Sequence, residues 1–150
     1  MIDRTTALLL TAGVAVLLAT QAPINANLGL QVGRVQAALI SFVVGTVILT
    51  VFVFAFEGGF PNGIGVGTVS WQYFLGGALG AAYVTTVIFT VRTLGAGGVT
   101  AATITGQLSM SLVLDQFGLF GLEKHPITWQ RLVGVLLLGA GTYLVVAGRN

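Results

Sequence analysis

Apolar residues along this chain fall into five long runs, separated by short polar or glycine-rich breaks. The runs are about 5–28, 36–56, 71–91, 99–117 and 129–147. Each approaches the roughly 20 residues that a helix needs to cross a hydrocarbon core about 30 Å thick. The breaks are Gly33 with Arg34, EGGFPNGIGVG (Glu57 to Gly67), Arg92 with LGAGG (Leu94 to Gly98), and GLEKHP (Gly121 to Pro126). In lipid every backbone polar group has to pair within the protein, so runs of this length predict helices despite their glycines. The pattern therefore predicts a single all-α transmembrane domain over residues 1–150, with five helices joined by short connections. Trp71 and Trp129 open the third and fifth runs, where interfacial aromatic anchors are expected.

Composition agrees. Of 150 residues 55% are hydrophobic and only 7% charged, against about 25% charged in a soluble domain. There is no cysteine, which removes disulfides, thiolate metal sites and thiol nucleophiles. The six basic residues are scattered singly, beside four acidic ones, so no basic run marks a nucleic-acid partner. The lone histidine, His125, has no companion at metal-ligand spacing. The glycine-rich stretches do not contain a phosphate-binding Gly-x-x-x-x-Gly-Lys-[Ser/Thr] pattern. No cofactor is implied and no enzyme activity is expected. A secretory leader is an alternative for the first run, with Arg4 ahead of it and Ala19 and Ala22 near a cleavage point. Asp3 and continuation of the apolar run past that point argue against it.

Charge changes the picture through orientation. If the N-terminus is cytoplasmic, Arg4, Lys124 and Arg131 lie inside, and Arg34, Arg92 and Arg149 lie outside. Orientation follows the bias of Lys and Arg, and here the bias is zero. Insertion in both directions is the natural reading; a partner or differences in hydrophobicity would be needed to fix a single topology. Two opposed copies of a five-helix chain make ten helices with inverted symmetry, a recurring transporter architecture.

Candidate chemistry lies on helix faces. Thr100, Thr103, Gln107, Ser111 and Asp115 are spaced 3, 4, 4 and 4, which places them on one face of a helix. Polar and ionisable residues at membrane depth face a bundle interior or a water-filled path; hydrogen bonding between helices is the alternative reading. Asp115 lies near the end of its run, so interfacial capping is a further alternative to a role as a proton site or gate. In TQAPINANLG (Thr20 to Gly29), Gln21 and Asn25 share a face. Pro23 between them frees the carbonyl of Ala19. The stretch is either a ligand-facing kink or a helix end meeting water. Tyr83 is a candidate substrate contact or a buried hydroxyl satisfied by a neighbour. Gly76 with Gly80 and the heptad-spaced Gly134, Gly141 and Gly148 read as packing stripes, within the chain or between chains.

Four runs carry a resemblance: QAPINANLG, GGALGAAYVTTVIFTVRTLGA, GQLSMSLVLDQFGLFG and HPITWQRLVGVLLLGAGTYLV. Across nearly its whole length the chain resembles the YdcZ-type branch of the drug/metabolite transporter superfamily. The most specific part is GQL-x-x-SL-x-x-D-x-FG, Gly106 to Gly118. The resemblance implies a small five-helix protein of the bacterial inner (cytoplasmic) membrane, working as an antiparallel dimer. It also implies that Gln21, Asn25, Gln107 and Asp115 occupy motif positions. Related small multidrug exporters carry a glutamate in the first helix; here Gln21 and Asn25 stand in that polar region. The expected function is transport of a small solute by alternating access, with or without a coupling ion. Gln21, Asn25, Tyr83, Gln107, Ser111 and Asp115 are the expected path residues. A dual-topology channel and a non-transporting scaffold subunit are the alternatives, and the expected partners are a second copy of the chain and the bilayer.

Overall fold

The computed structural model describes residues 3–60 and 69–148. Most of the expected break from Glu57 to Gly67 lies outside the described residues, as does Arg149 of the orientation count. The described chain is helical, with helices α1 (Arg4–Val32), α2 (Arg34–Phe56), α3 (Leu75–Phe117) and α4 (Trp129–Ala147). Single 3-10 turns stand at Trp71–Phe74 and Leu119–Gly121. Four candidate membrane spans result among the described residues.

The third and fourth expected helices thus belong to one element of 43 residues. A straight helix of that length is about 65 Å long, roughly twice the hydrocarbon thickness. It is not regular throughout: Gly95 has φ 73° and ψ 165°, a conformation nearly confined to glycine. The sequence suggests a break spanning Arg92 to Gly98, whereas the backbone leaves helical geometry at one residue. The pieces on either side of Gly95 are each long enough to cross a membrane.

The chain divides into two compact units, Thr20–Arg92 and Met1–Ala19 with Thr93–Asn150. In the first unit, Ala22, Asn25, Ala26 and Gly29 of α1 are buried. Their spacing makes one face, and their small size allows close backbone approach. Ala37 and Ala38 of α2 are buried with Ile88 of α3, and Leu28 and Val84 pack against them. The first two helices are joined through Gly33 alone, at φ 96° and ψ 147°. A Cβ on Gly29 would lie 3.3 Å from Ile88 and 3.4 Å from the backbone of Arg34, so a side chain there would crowd this end of the hairpin. A Cβ on Gly80 would meet the ring of Phe42 at 3.5 Å, but Gly76 faces open space. Of the expected Gly76 and Gly80 pair, only Gly80 serves a contact among the described residues.

In the second unit, α4 packs on the later part of α3 through Gly98, where an added Cβ would be 3.4 Å from Val146. Thr128 caps α4, its hydroxyl accepting from the Arg131 backbone N–H at 3.4 Å. Trp71 and Trp129 are strongly exposed at the starts of their elements. Residues 4–18 of α1 are exposed around the helix, as suits a segment apolar on all sides in a lipid solvent. Asp3 caps that helix: the Thr5 and Thr6 backbone N–H groups each donate to its carboxylate at 3.0 Å. The Thr6 hydroxyl, then the Thr6 backbone, hold the Asp3 carboxyl below its ordinary value. The cap is therefore formed above the carboxylate range and weakens as pH falls through that lowered value.

Candidate functional site

The expected path residues divide between the two units. Gln21, Asn25 and Tyr83 belong to Thr20–Arg92; Gln107, Ser111 and Asp115 belong to the other.

In the first group, Asn25 is buried and its side-chain amide donates to the Ser41 hydroxyl at 3.2 Å. Burying an amide is costly unless it is paired, so Ser41 gives Asn25 a reason to sit in the α1–α2 contact. By its spacing Ser41 reads as a small packing residue, and nothing in the sequence alone marks it as the amide's partner. Gln21 and Tyr83 are half-buried, and Tyr83 is engaged by a neighbour.

In the second group, an open groove of about 550 Å³ lies along α3 and α4. Its wall includes Thr100, Ala101 and Ile104 of α3 and Leu138, Gly141 and Thr142 of α4. That volume is within the range of small-molecule sites, roughly 300–1,000 Å³. The small residues leave space, and two threonines supply polarity in an apolar wall. Thr105 and Thr142 converge on the Ala101 carbonyl, at 2.9 Å and 3.0 Å, and their hydroxyls lie 2.7 Å apart. These two residues are not singled out by the sequence. Thr105 is off the 3-4-4-4 stripe, and Thr142 is hidden beside the glycine heptad.

The stripe continues from the groove. Thr100 is in its wall, and Gln107 and Ser111 follow on the same face two and three turns further on; both are exposed. Asp115, at the end, pairs with Arg131 at the start of α4. The same arginine donates to the His125 carbonyl at 3.2 Å. The His125 N–H donates to the Asp115 carbonyl at 2.9 Å, and the Ile127 N–H donates to the Gln116 side chain at 2.7 Å. The α3–α4 connection is thus folded back and latched onto the end of α3. His125 contributes its backbone to that latch. Among the described residues there is no cluster of metal-ligating side chains.

Among the described residues the glycine heptad is not at a close helix contact: a Cβ on Gly134 or Gly141 meets nothing within 4 Å, and one on Gly148 meets only its own helix. Gly141 instead floors the groove. Gly141→Leu should therefore leave the chain folded while filling the groove. Circular dichroism in detergent should be unchanged, and solute flux in proteoliposomes should fall by about ten-fold or more, as expected if one interaction of roughly 1.4 kcal/mol is lost. Unchanged flux would take the groove out of the transport path.

Two comparisons, with curated proteins and with solved structures, found no match. The pattern of a membrane-transport family, described as "Putative inner membrane exporter, YdcZ", matches residues 5–144. Spanning-capable helices and the long polar face of α3 agree with a membrane transporter, and a match over nearly the whole chain settles the family: this protein belongs to the YdcZ family.

Proposed function

We propose that the protein moves a small solute across the inner membrane of a bacterium by alternating access, as an antiparallel homodimer of dual topology. The observation that carries this reading is the polar face of α3, which leads from the groove at Thr100 past exposed Gln107 and Ser111 to Asp115. An exposed amide in an apolar span is unfavourable against lipid, so a hydrated path or a second copy is the natural cover for it. With Gly95 separating two crossings, each chain has five, and two inverted copies have the ten of an inverted-repeat carrier. Within the broader drug/metabolite transporter superfamily, this makes the chain a half-carrier. Gln107 lines the central path, with Ser111 one turn further along the same face. Asp115 and Arg131 act as a gate nearer one membrane face, because parting α3 from α4 has to break their ion pair. Gly134 and Gly141, where an added Cβ would meet nothing within 4 Å, suit close approach of the second copy.

Two measurements test the reading. Saturable flux with counter-transport in a proteoliposome solute screen supports a carrier. Flux linear in the gradient indicates a channel, and absence of flux for every solute leaves a scaffold. Topology is tested with single cysteines near Arg4 and near Arg149. The balanced charges predict that each site labels from both sides of the membrane, and that two lysines added beside Arg149 drive that end inside. Labelling from one side only in the unmodified chain excludes dual insertion.

A further inference from the structure

The unit formed by Thr20–Arg92 brings two arginines to one end of its helices. The Arg92 guanidinium donates to the Asn27 side-chain oxygen at 3.1 Å. The Arg34 guanidinium lies 4.8 Å from the centre of the Phe89 ring. Phe89 and Arg92 are neighbours on one face of α3, being three residues apart. Asn27 lies two residues before Gly29, where an added Cβ would be 3.6 Å from the stem of Arg34. Both side chains are exposed.

Neither arginine has an ionic partner among the described residues; the one ion pair there joins Arg131 and Asp115. The carboxylate within this unit, Glu57, follows the far end of α2, roughly 35 Å along the helix from Arg34. An amide and an aromatic ring orient the two guanidiniums without neutralising either charge. Each guanidinium has five N–H donors in a planar fork suited to phosphate, and the bond from Arg92 to Asn27 occupies one of the ten. The level in the membrane also matters. Arg34 adjoins the Gly33 turn between two spans, and such a turn lies where the hydrocarbon meets the headgroups. Lipid phosphates are concentrated at that level, and basic pockets between transmembrane helices are suited to anionic headgroups.

We propose that Arg34 and Arg92 bind the phosphate of an anionic phospholipid at the α1–α2 turn. The lipid bridges the two cations and seals the hairpin against α3 at the membrane surface. This site is separate from solute transport and holds whichever solute the protein carries.

The test is native mass spectrometry of the detergent-purified full chain, offered equal amounts of phosphatidylglycerol and phosphatidylcholine. The unmodified protein should retain phosphatidylglycerol preferentially. Arg34→Gln and Arg92→Gln should each reduce that preference about five-fold, the effect of one basic residue at an anionic surface, and the double variant should abolish it. Circular dichroism monitors folding. The Arg34→Lys, Arg92→Lys pair keeps both charges and loses the planar forks, so it should fall between the two extremes. A double glutamine variant that keeps the preference overturns the site, and a lysine pair as selective as the unmodified protein overturns recognition by guanidinium geometry. Bound lipid should survive millimolar inorganic phosphate. Its displacement would assign the arginines to a soluble phosphate and overturn the lipid assignment.

Discussion

Gln107→Leu should abolish solute flux while leaving the protein folded and, if anything, more stable. The opposite signs make the experiment decisive. Gln107 is exposed on its helix, so within the chain the amide is not a buried group whose loss would open a hole. Against lipid, leucine is the favoured side chain at a helix centre and glutamine is not. If the amide instead held two helices together, its removal would destabilise by about 0.6 kcal/mol on average, with the loss visible as weaker assembly on dilution. If it lines a hydrated path, leucine removes a hydrogen-bonding group from a narrow constriction and dewets it. The expected outcome is a loss of flux of at least about ten-fold, as follows from one hydrogen bond near 1.4 kcal/mol, with a thermal midpoint unchanged or raised. Preserved flux would remove Gln107 from the path.

The second large effect should come from Gly95→Ala. Elsewhere in a helix, alanine in place of glycine stabilises by about 0.5–1 kcal/mol. Gly95 reverses the sign, because φ 73° with ψ 165° is nearly closed to residues with a Cβ, and backbone strain of this kind costs about 1–3 kcal/mol. Gly106, in the helical part of α3 with open space around it, is the matched control, and Gly106→Ala should be neutral or stabilising. Thermal unfolding in detergent should separate the two variants by roughly 1.5–4 kcal/mol, the sum of these contributions. Equal midpoints would mean that α3 does not need its break at Gly95.

The helices are legible in the sequence because lipid leaves the backbone little choice: a run of sufficient length has to pair its own amides. The breaks are less legible, because a turn can need far fewer residues than its composition suggests. Arg92 to Gly98 reads as a connection, yet only Gly95 departs from the helix. Candidate residues stand out when they are polar in an apolar setting, as Asn25, Gln107 and Asp115 do. Their partners do not. Arg131 lies 16 positions from Asp115, across a connection whose folding back has no periodic signature. Ser41 and Thr142 are small residues with one hydroxyl each, common at helix contacts with or without a specific role. The glycine heptad shows the limit from the other side, since its period is unmistakable while the face it marks is open within the chain.

The single-residue turn at Gly33 bears on biogenesis. Two apolar helices joined so tightly leave no hydrophilic segment to be threaded through the translocon after the first has entered. They have to partition into lipid together, as a preformed hairpin whose leading tip carries Arg34 and little other charge. Carrying Arg34 across with that tip works with or against the membrane potential by about 2.3 kcal/mol per 100 mV, so the direction in which the hairpin enters has an energetic consequence of its own.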